Sequence, residues 1–196
     1  MSLTADSERT PLSIVDDRVA IDEVLRGNRE MFEVLVRRYN PRLFRVGMAC
    51  LKRREQAEDA MQNAYLKAYL NLRHFRGESA FATWLTRIMI NECRMALRKD
   101  RSNREDGWAE GEDEKIPDGN ARPVGDGLSL NEMKHLLESA IGELPRKYRT
   151  VYMLREVQQL STAEAAACLG ITAENVKVTL HRAKEMLKNR LLKSAS

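Results

Sequence analysis

Apolar residues along this chain recur at intervals of three and four, the period of helices that bury one face. Val/Ile/Thr alternation is rare, so strands are not expected. Asp16 and Asp17 open a helix that reaches Arg26 and is stopped by Gly27. Asn28 caps the next, with Met31, Phe32, Leu35 and Val36 as its apolar face. Pro41 marks a joint or a first helical position, and a further helix carries Leu43, Phe44, Val46, Met48 and Leu51. From Ala57 to Leu72 the core-facing stripe is Ala57, Met61, Ala64, Tyr65, Ala68, Tyr69 and Leu72. Residues 74–79 form a turn around Gly77, and Ser79 can cap a helix from Ala80 to Lys99 whose inward residues are Leu85, Ile88, Met89, Cys93 and Ala96.

Periodicity then stops. Asp100 to Gly127 is rich in Gly, Asp and Glu and holds two prolines. More than about twenty structureless residues inside one compact domain would be unusual, so this segment reads as a linker between two. Patterning resumes at Leu128–Leu144 and again from Pro145, with Tyr148, Val151, Tyr152 and Leu154 apolar. The predicted fold class is all-α: two small helical domains joined by a flexible acidic linker. The expected boundaries are a disordered N-terminus at 1–14, domains at 15–100 and 128–196, and the linker at 101–127.

The second domain ends in the most informative stretch. Ser161 is placed as an N-cap with Glu164 three residues on, the pattern of a capping box. Gly170 suits the left-handed residue after a helix ending near Leu169. Thr172 then caps a longer helix from Ala173 to about Leu191. Two helices joined by a three-residue turn containing Gly make a helix-turn-helix, and small Ala165 and Ala166 let the helices cross closely. At roughly 100° per residue, Val176, Leu180, Ala183 and Leu187 share a buried stripe. Glu174, Val178, His181, Arg182 and Glu185 lie opposite, with Lys177, Lys184 and Lys188 along one flank. Lysines at the flank suit phosphates, and outward residues near the helix start suit base edges. Val178 is slightly unfavourable facing solvent but fits a thymine methyl. A plain amphipathic C-terminal helix is the alternative; the two caps, the Gly and the basic flank favour DNA.

Charge sharpens the division. Residues 1–100 hold 18 Lys/Arg and 14 Asp/Glu, a net of +4; residues 101–127 hold 4 and 8, a net of −4; residues 128–196 hold 11 and 7, again +4. Mild basicity in each lobe is consistent with a polyanionic partner. In the helix from Ala80, Arg87, Asn91, Arg94 and Arg98 fall on one narrow stripe opposite the core. Aligned like charges cost a few tenths of a kcal/mol per pair, roughly, so stability does not explain the stripe and a phosphate backbone does. The aromatic cluster His74, Phe75, Phe81 and Trp84 could stack on unpaired bases, although Phe81 and Trp84 also fit a core, which suits Trp84 better. Asp59, Gln62, Leu66 and Leu70 run along a second side of the third helix. Two leucines there indicate either a docking surface or contact with the preceding helix.

Other functions find little support. The aromatic fraction is 6%, no apolar run approaches a membrane span, and the N-terminal stretch has no signal-peptide core. A cytoplasmic location follows as the expectation. Cys50, Cys93 and Cys168 are far apart in apolar patterns and form no ligand spacing with His74, His135 or His181, so buried thiols are expected and no metal or cofactor. No Walker loop, HExxH or Ser/His/Asp pattern can be placed, and catalysis is not expected.

The run AEDAMQNAYLKAYLNLRHFRGESAFATWLTRIMINECRMALRK resembles the second conserved region of bacterial RNA polymerase sigma factors. The run LPRKYRTVYMLREVQQLSTAEAAACLGITAENVKVTLHRAKEML is similar to their fourth. In that order, with a short linker between, the chain resembles an extracytoplasmic-function sigma factor from about Arg29 to Leu191. The resemblance implies core RNA polymerase (β′ clamp and β flap) and promoter DNA as partners, with an anti-sigma factor that is often membrane-bound. It places Asp59, Gln62 and Leu66 on the β′ clamp, which favours the docking reading of that face. Phe75, Ser79 and Phe81 fall in the segment that captures a flipped −10 base, and Arg87, Asn91, Arg94 and Arg98 on the helix that tracks the non-template strand. Lys177, Val178, His181, Arg182 and Lys184 fall where the −35 duplex is read. The acidic linker would lie near the RNA path. Asn63 stands where Glu is frequent, and Val178 and Thr179 where Ser and Arg are common, so −35 preference cannot be copied from other members. The chain stops soon after the recognition helix, leaving no room for an added C-terminal sensor domain. The competing reading is a plain helix-turn-helix regulator, which leaves the Arg stripe, Leu66 and the acidic linker without a task.

Overall fold

Asp16 begins the first helix as the sequence indicates: its carboxylate accepts from the Arg18 N–H at 2.8 Å, satisfying one of the donors left open at a helix start. In this computed structural model, which describes residues 15–100 and 130–194, the helix that follows is α1 (Asp17–Leu25). Gly27 then turns the chain at φ +105°. The expected disordered N-terminus and the linker at 101–127 lie outside the described residues.

Two local expectations fail at α2 (Glu30–Leu51). Asn28 does not cap it; Arg29 holds that place in helical conformation, without the extended backbone a side-chain cap needs. Pro41 interrupts nothing either, since one 22-residue helix runs through it. The proline is exposed, the position where losing a backbone donor costs least because water is at hand. α2 ends at left-handed Lys52. α3 (Arg54–Leu70) follows, then a 3₁₀ turn (Leu72–His74) and α4 (Phe81–Asp100). Ala80 rather than Ser79 occupies the cap position of α4, its carbonyl accepting from Thr83 and Trp84 at 2.9 and 3.1 Å. Helices α2, α3 and α4 converge at Gly47, where a Cβ would come within 2.6 Å of Met89 Cε and 3.1 Å of Ala57 Cβ. A larger residue there would force the end of the Met89 side chain to turn aside and Ala57 to give way.

The second domain contains α5 (Leu130–Glu143), α6 (Arg146–Tyr152), α7 (Thr162–Leu169) and α8 (Ala173–Ser194). Between α6 and α7 the helix widens into a π-helical turn, Met153–Val157, and closes with Gln159 at φ +57°. Apolar periodicity could not reveal that turn. α7 carries the full capping box: Glu164 N–H donates to Ser161 Oγ at 3.2 Å and Ser161 N–H to Glu164 Oε2 at 2.9 Å. Gly170 is left-handed at φ +60°, and Thr172 Oγ1 accepts from Asn175 N–H at 3.2 Å to start α8. The helix-turn-helix is therefore built from the residues expected to build it.

The chain is all-α among the described residues, with two helical domains packed directly on one another. Val151, Leu154, Leu160, Ala165, Ala166, Cys168, Leu169 and Val176 join the core of the first domain, whereas Ala140, Leu144, Tyr148, Ala183 and Leu187 form a smaller cluster at the far end of the second. Nothing in the patterning indicated this shared core, because each domain's apolar residues can equally be assigned to its own interior.

Candidate nucleic-acid interface

α8 presents the candidate duplex-reading surface. Val176, Ala183 and Leu187 are buried, and Thr179 is buried beside them, a position the apolar pattern alone did not mark. Lys177, Val178, His181, Arg182 and Lys184 all face out. Val178, 45% exposed, is an apolar β-branched side chain on a basic, solvent-facing surface. Lys177 lies 3.5 Å from Glu174, and Lys184 is 2.9 Å from Glu156 in the π-helical turn. Both pairs are largely exposed, so a polyanion can displace the carboxylates at little cost.

α3 offers a different chemistry. Asp59, Gln62 and Leu66 are exposed together, with Leu66 at 57% and Leu70 at 62%. The two leucines therefore do not pack on α2, and the choice left open by the sequence falls to an outward apolar face. The opposite side of α3 is anchored by small Ala57, Ala60, Ala64 and Ala68, all buried, which bring it close to its neighbours. Lys67 ties α3 to α4 through Glu92, at 2.7 Å.

The Arg stripe of α4 does not stay together. Arg87, Asn91 and Arg98 are exposed, but Arg94 is half-buried and donates to the carbonyl of Leu169 at the end of α7. Burial lowers the pKa of its guanidinium. Sequence reasoning placed Arg94 with its neighbours correctly by angle, yet could not see that another helix would lie across it.

The aromatic cluster is layered. Phe81, 3% exposed, packs against Tyr39, Phe75 and Trp84 with ring centroids 5.5, 5.6 and 5.6 Å away. It supports the cluster from beneath and offers no free face, unlike the base-stacking role the sequence suggested for it. Half-buried Phe75 and Trp84 lie above, 5.2 Å apart, and the exposed loop Arg76–Ala80 runs beside them. The sequence missed Tyr39, whose hydroxyl donates to Asp17 and ties α1 to α2. That bond, with burial as the larger cause, raises the pKa of the phenol. The three thiols are buried, and no group of side chains suited to a metal ion occurs among the described residues.

A Sigma-70 region 2 family model matches residues 35–103, and a Sigma-70 region 4 model matches residues 134–187. The ECF RNA polymerase sigma-E factor of Haemophilus influenzae is 30% identical over 180 residues, covering 89% of this chain and 95% of its own. The chain belongs to the extracytoplasmic-function (ECF) sigma factors. The ECF RNA polymerase sigma factor SigW of Bacillus subtilis is 29% identical over 181 residues, with 87% and 94% of the two chains covered. Among solved structures, CnrH in complex with the cytosolic domain of CnrY is similar at a TM-score of 0.61 and 25% identity, covering 92% of this chain and 99% of that one. The sigma factor RpoE of Bartonella quintana, solved with the anti-sigma factor NepR, has the same fold, with a TM-score of 0.61, 22% identity and coverage of 82% and 96%.

The two matched regions fall on the two packed domains of this sigma factor. Region 2 contains the α3 face and the α4 stripe, and region 4 contains α7 and α8. Among the described residues no helix is long and apolar enough to cross a membrane.

Proposed function

We infer that this ECF sigma factor joins core RNA polymerase and directs it to promoters carrying −35 and −10 elements. The observation that supports the residue-level reading is the separation of chemistries: an exposed face with two leucines on α3, a guanidinium-rich face on α4, and a basic helix-turn-helix face on α8. Asp59, Gln62 and Leu66 dock on the β′ clamp, while region 4 meets the β flap. Lys177, Lys184 and Arg182 hold phosphates of the −35 duplex, and Val178 and His181 read its base edges. Arg87, Asn91, Arg94 and Arg98 track the single strand of the opened −10 element. Phe75 and the loop through Ser79 accept an unstacked base over the Phe81 support, offsetting an unstacking cost of a few kcal/mol, roughly.

Neither DNA surface needs to bind tightly alone, because polymerase holds both near one promoter and raises their effective concentrations. The working location is the cytoplasm, with polymerase and the chromosome, and catalysis remains with the polymerase. An anti-sigma factor is the expected inhibitor, as in the complex with NepR.

Run-off transcription tests this reading: purified core polymerase and fragmented host DNA, with and without the chain. Discrete starts that depend on the chain, with a shared pair of upstream elements, are expected. Absence of such starts, together with tight duplex binding by the chain alone, would support the plain helix-turn-helix regulator instead.

A further inference from the structure

The seam between the domains covers part of the α4 face proposed to hold DNA. α7 lies along one face of α4 that carries Thr83, Ile90 and Arg94, with exposed Arg87 at its edge. Thr83 Oγ1 donates to Glu164 Oε1 at 2.9 Å, and Cys168 Sγ lies 3.6 Å from the Thr83 carbonyl. Ile90 is fully buried. At the far end the Arg94 guanidinium donates to the Leu169 carbonyl. Helix C-termini carry unsatisfied carbonyls and a partial negative charge, so this end of α7 offers Arg94 much of what a phosphate oxygen would. A second set of bonds holds the same closure. Arg149 Nε donates to the Ala49 carbonyl at 2.8 Å, Thr150 Oγ1 to the same oxygen at 3.4 Å, and Arg42 to the Gln158 carbonyl at 3.1 Å.

The other two functional faces remain clear. Asp59, Gln62, Leu66 and Leu70 are exposed on α3, as are Lys177, Val178, His181 and Lys184 on α8. We propose that the free chain masks part of its own −10 surface: α7 of the helix-turn-helix covers Thr83, Ile90 and Arg94 on α4 and must leave before a single strand can engage Arg94, while Arg87, Asn91 and Arg98 stay exposed. The mask rests on the −10 role proposed for α4. The α3 face can meet the polymerase clamp while the seam is still closed, so docking comes first and strand capture follows opening. The mask limits single-strand binding through the fraction of chains that are open, since apparent affinity falls in proportion to that fraction.

The test uses the full chain and Arg42→Glu. This substitution replaces the donor to Gln158 with a carboxylate facing Glu164, and touches no residue assigned to DNA or polymerase. Spin labels at Arg37→Cys on α2 and Asn189→Cys on α8, both exposed positions, report the distance between domains. A fluorescent single-stranded oligonucleotide carrying the non-template −10 sequence, mapped by run-off transcription, reports strand binding. The wild-type pair should show one narrow distance, and Arg42→Glu a broader, longer distribution with roughly fivefold or greater tightening on the oligonucleotide. With core polymerase bound, both proteins should bind the strand equally well.

A broad distribution in the wild type overturns the closure. Opening by Arg42→Glu with unchanged strand affinity overturns the mask. If Arg42→Glu loses its helical circular dichroism, Thr83→Val, which removes only the hydroxyl facing Glu164, must show the same shifts at smaller amplitude; otherwise the proposal fails. A narrow wild-type distance with no chain-dependent transcription would remove the sigma-factor reading and leave the closure standing.

Discussion

Replacing Leu66 and Leu70 together by serine should weaken capture of core polymerase while leaving the chain folded. Leu66 is 57% and Leu70 62% exposed in the free chain. Full burial of a leucine side chain contributes about 1.5–3 kcal/mol, so covering the parts still in water is worth about 0.9–1.9 kcal/mol per residue. The two lie one helical turn apart on the same face, and together they supply about 1.8–3.6 kcal/mol, or roughly a 20- to 400-fold change in Kd, with the upper end needing complete coverage by the clamp. On the same scale the parts already covered contribute roughly 1–2 kcal/mol together, so urea unfolding should move by no more than about 2 kcal/mol and the chain should stay folded. Competition of labelled and unlabelled chain for core polymerase measures the first quantity, and denaturation the second. Unchanged competition with an intact fold would show that polymerase meets another surface. A large loss of stability would show that these leucines pack internally, contrary to their exposed positions on α3.

Three further outcomes follow from local geometry. Ser161→Ala removes the acceptor of the capping box and should cost about 1 kcal/mol in urea denaturation, with Ser161→Thr recovering most of it; equal loss in both variants would show that the cap is not the cause. The Glu164 carboxyl is held below the usual carboxylate range by the Ser161 backbone N–H first, then by the Ser161 and Thr83 side chains. Because the folded value is the lower one, its contribution is complete above the unfolded value near about 4.3 and is lost as pH falls through the folded value. The stability gap between wild type and Glu164→Gln should accordingly shrink steadily below roughly pH 4 in urea titrations, and a gap independent of pH would refute the assignment. Lys177→Ala should weaken holoenzyme binding to duplex promoter and reduce the slope of log K against log salt by roughly one; an unchanged slope would remove Lys177 from the phosphate contacts.

Short-range signals were the legible ones. Ser161, Glu164, Gly170 and Thr172 act within a few residues of themselves, so the helix-turn-helix could be assembled from sequence in detail. Exposed faces with unexpected chemistry were legible too, since Leu66 and Leu70 stand out on any helical projection. Asn28 and Pro41 misled because each signals a helix boundary only when the neighbouring backbone permits one; Arg29 was already helical, and Pro41 faced water. Phe81 misled because an aromatic at a helix start fits a base platform and a buried support equally well. The domain seam had no sequence signal of its own. Thr83, Cys168 and Ile90 look like ordinary small or apolar helix residues, and Arg94 like one more member of a basic stripe. Only the packing of α7 on α4 gives them a joint role.

The central claim is a division of labour, with α8 reading duplex and α4 holding opened strand. It is tested most directly by open-complex formation on two templates: an ordinary promoter, and the same promoter with its −10 region unpaired in advance. Holoenzymes carrying Asn91→Ala with Arg98→Ala should open the ordinary promoter poorly and regain most of that loss on the unpaired template. Holoenzymes carrying Lys177→Ala with Lys184→Ala should be weakened on both alike. Equal defects of the α4 variant on the two templates, or recovery of the α8 variant by unpairing, would contradict the assignment of melting to one domain and duplex reading to the other.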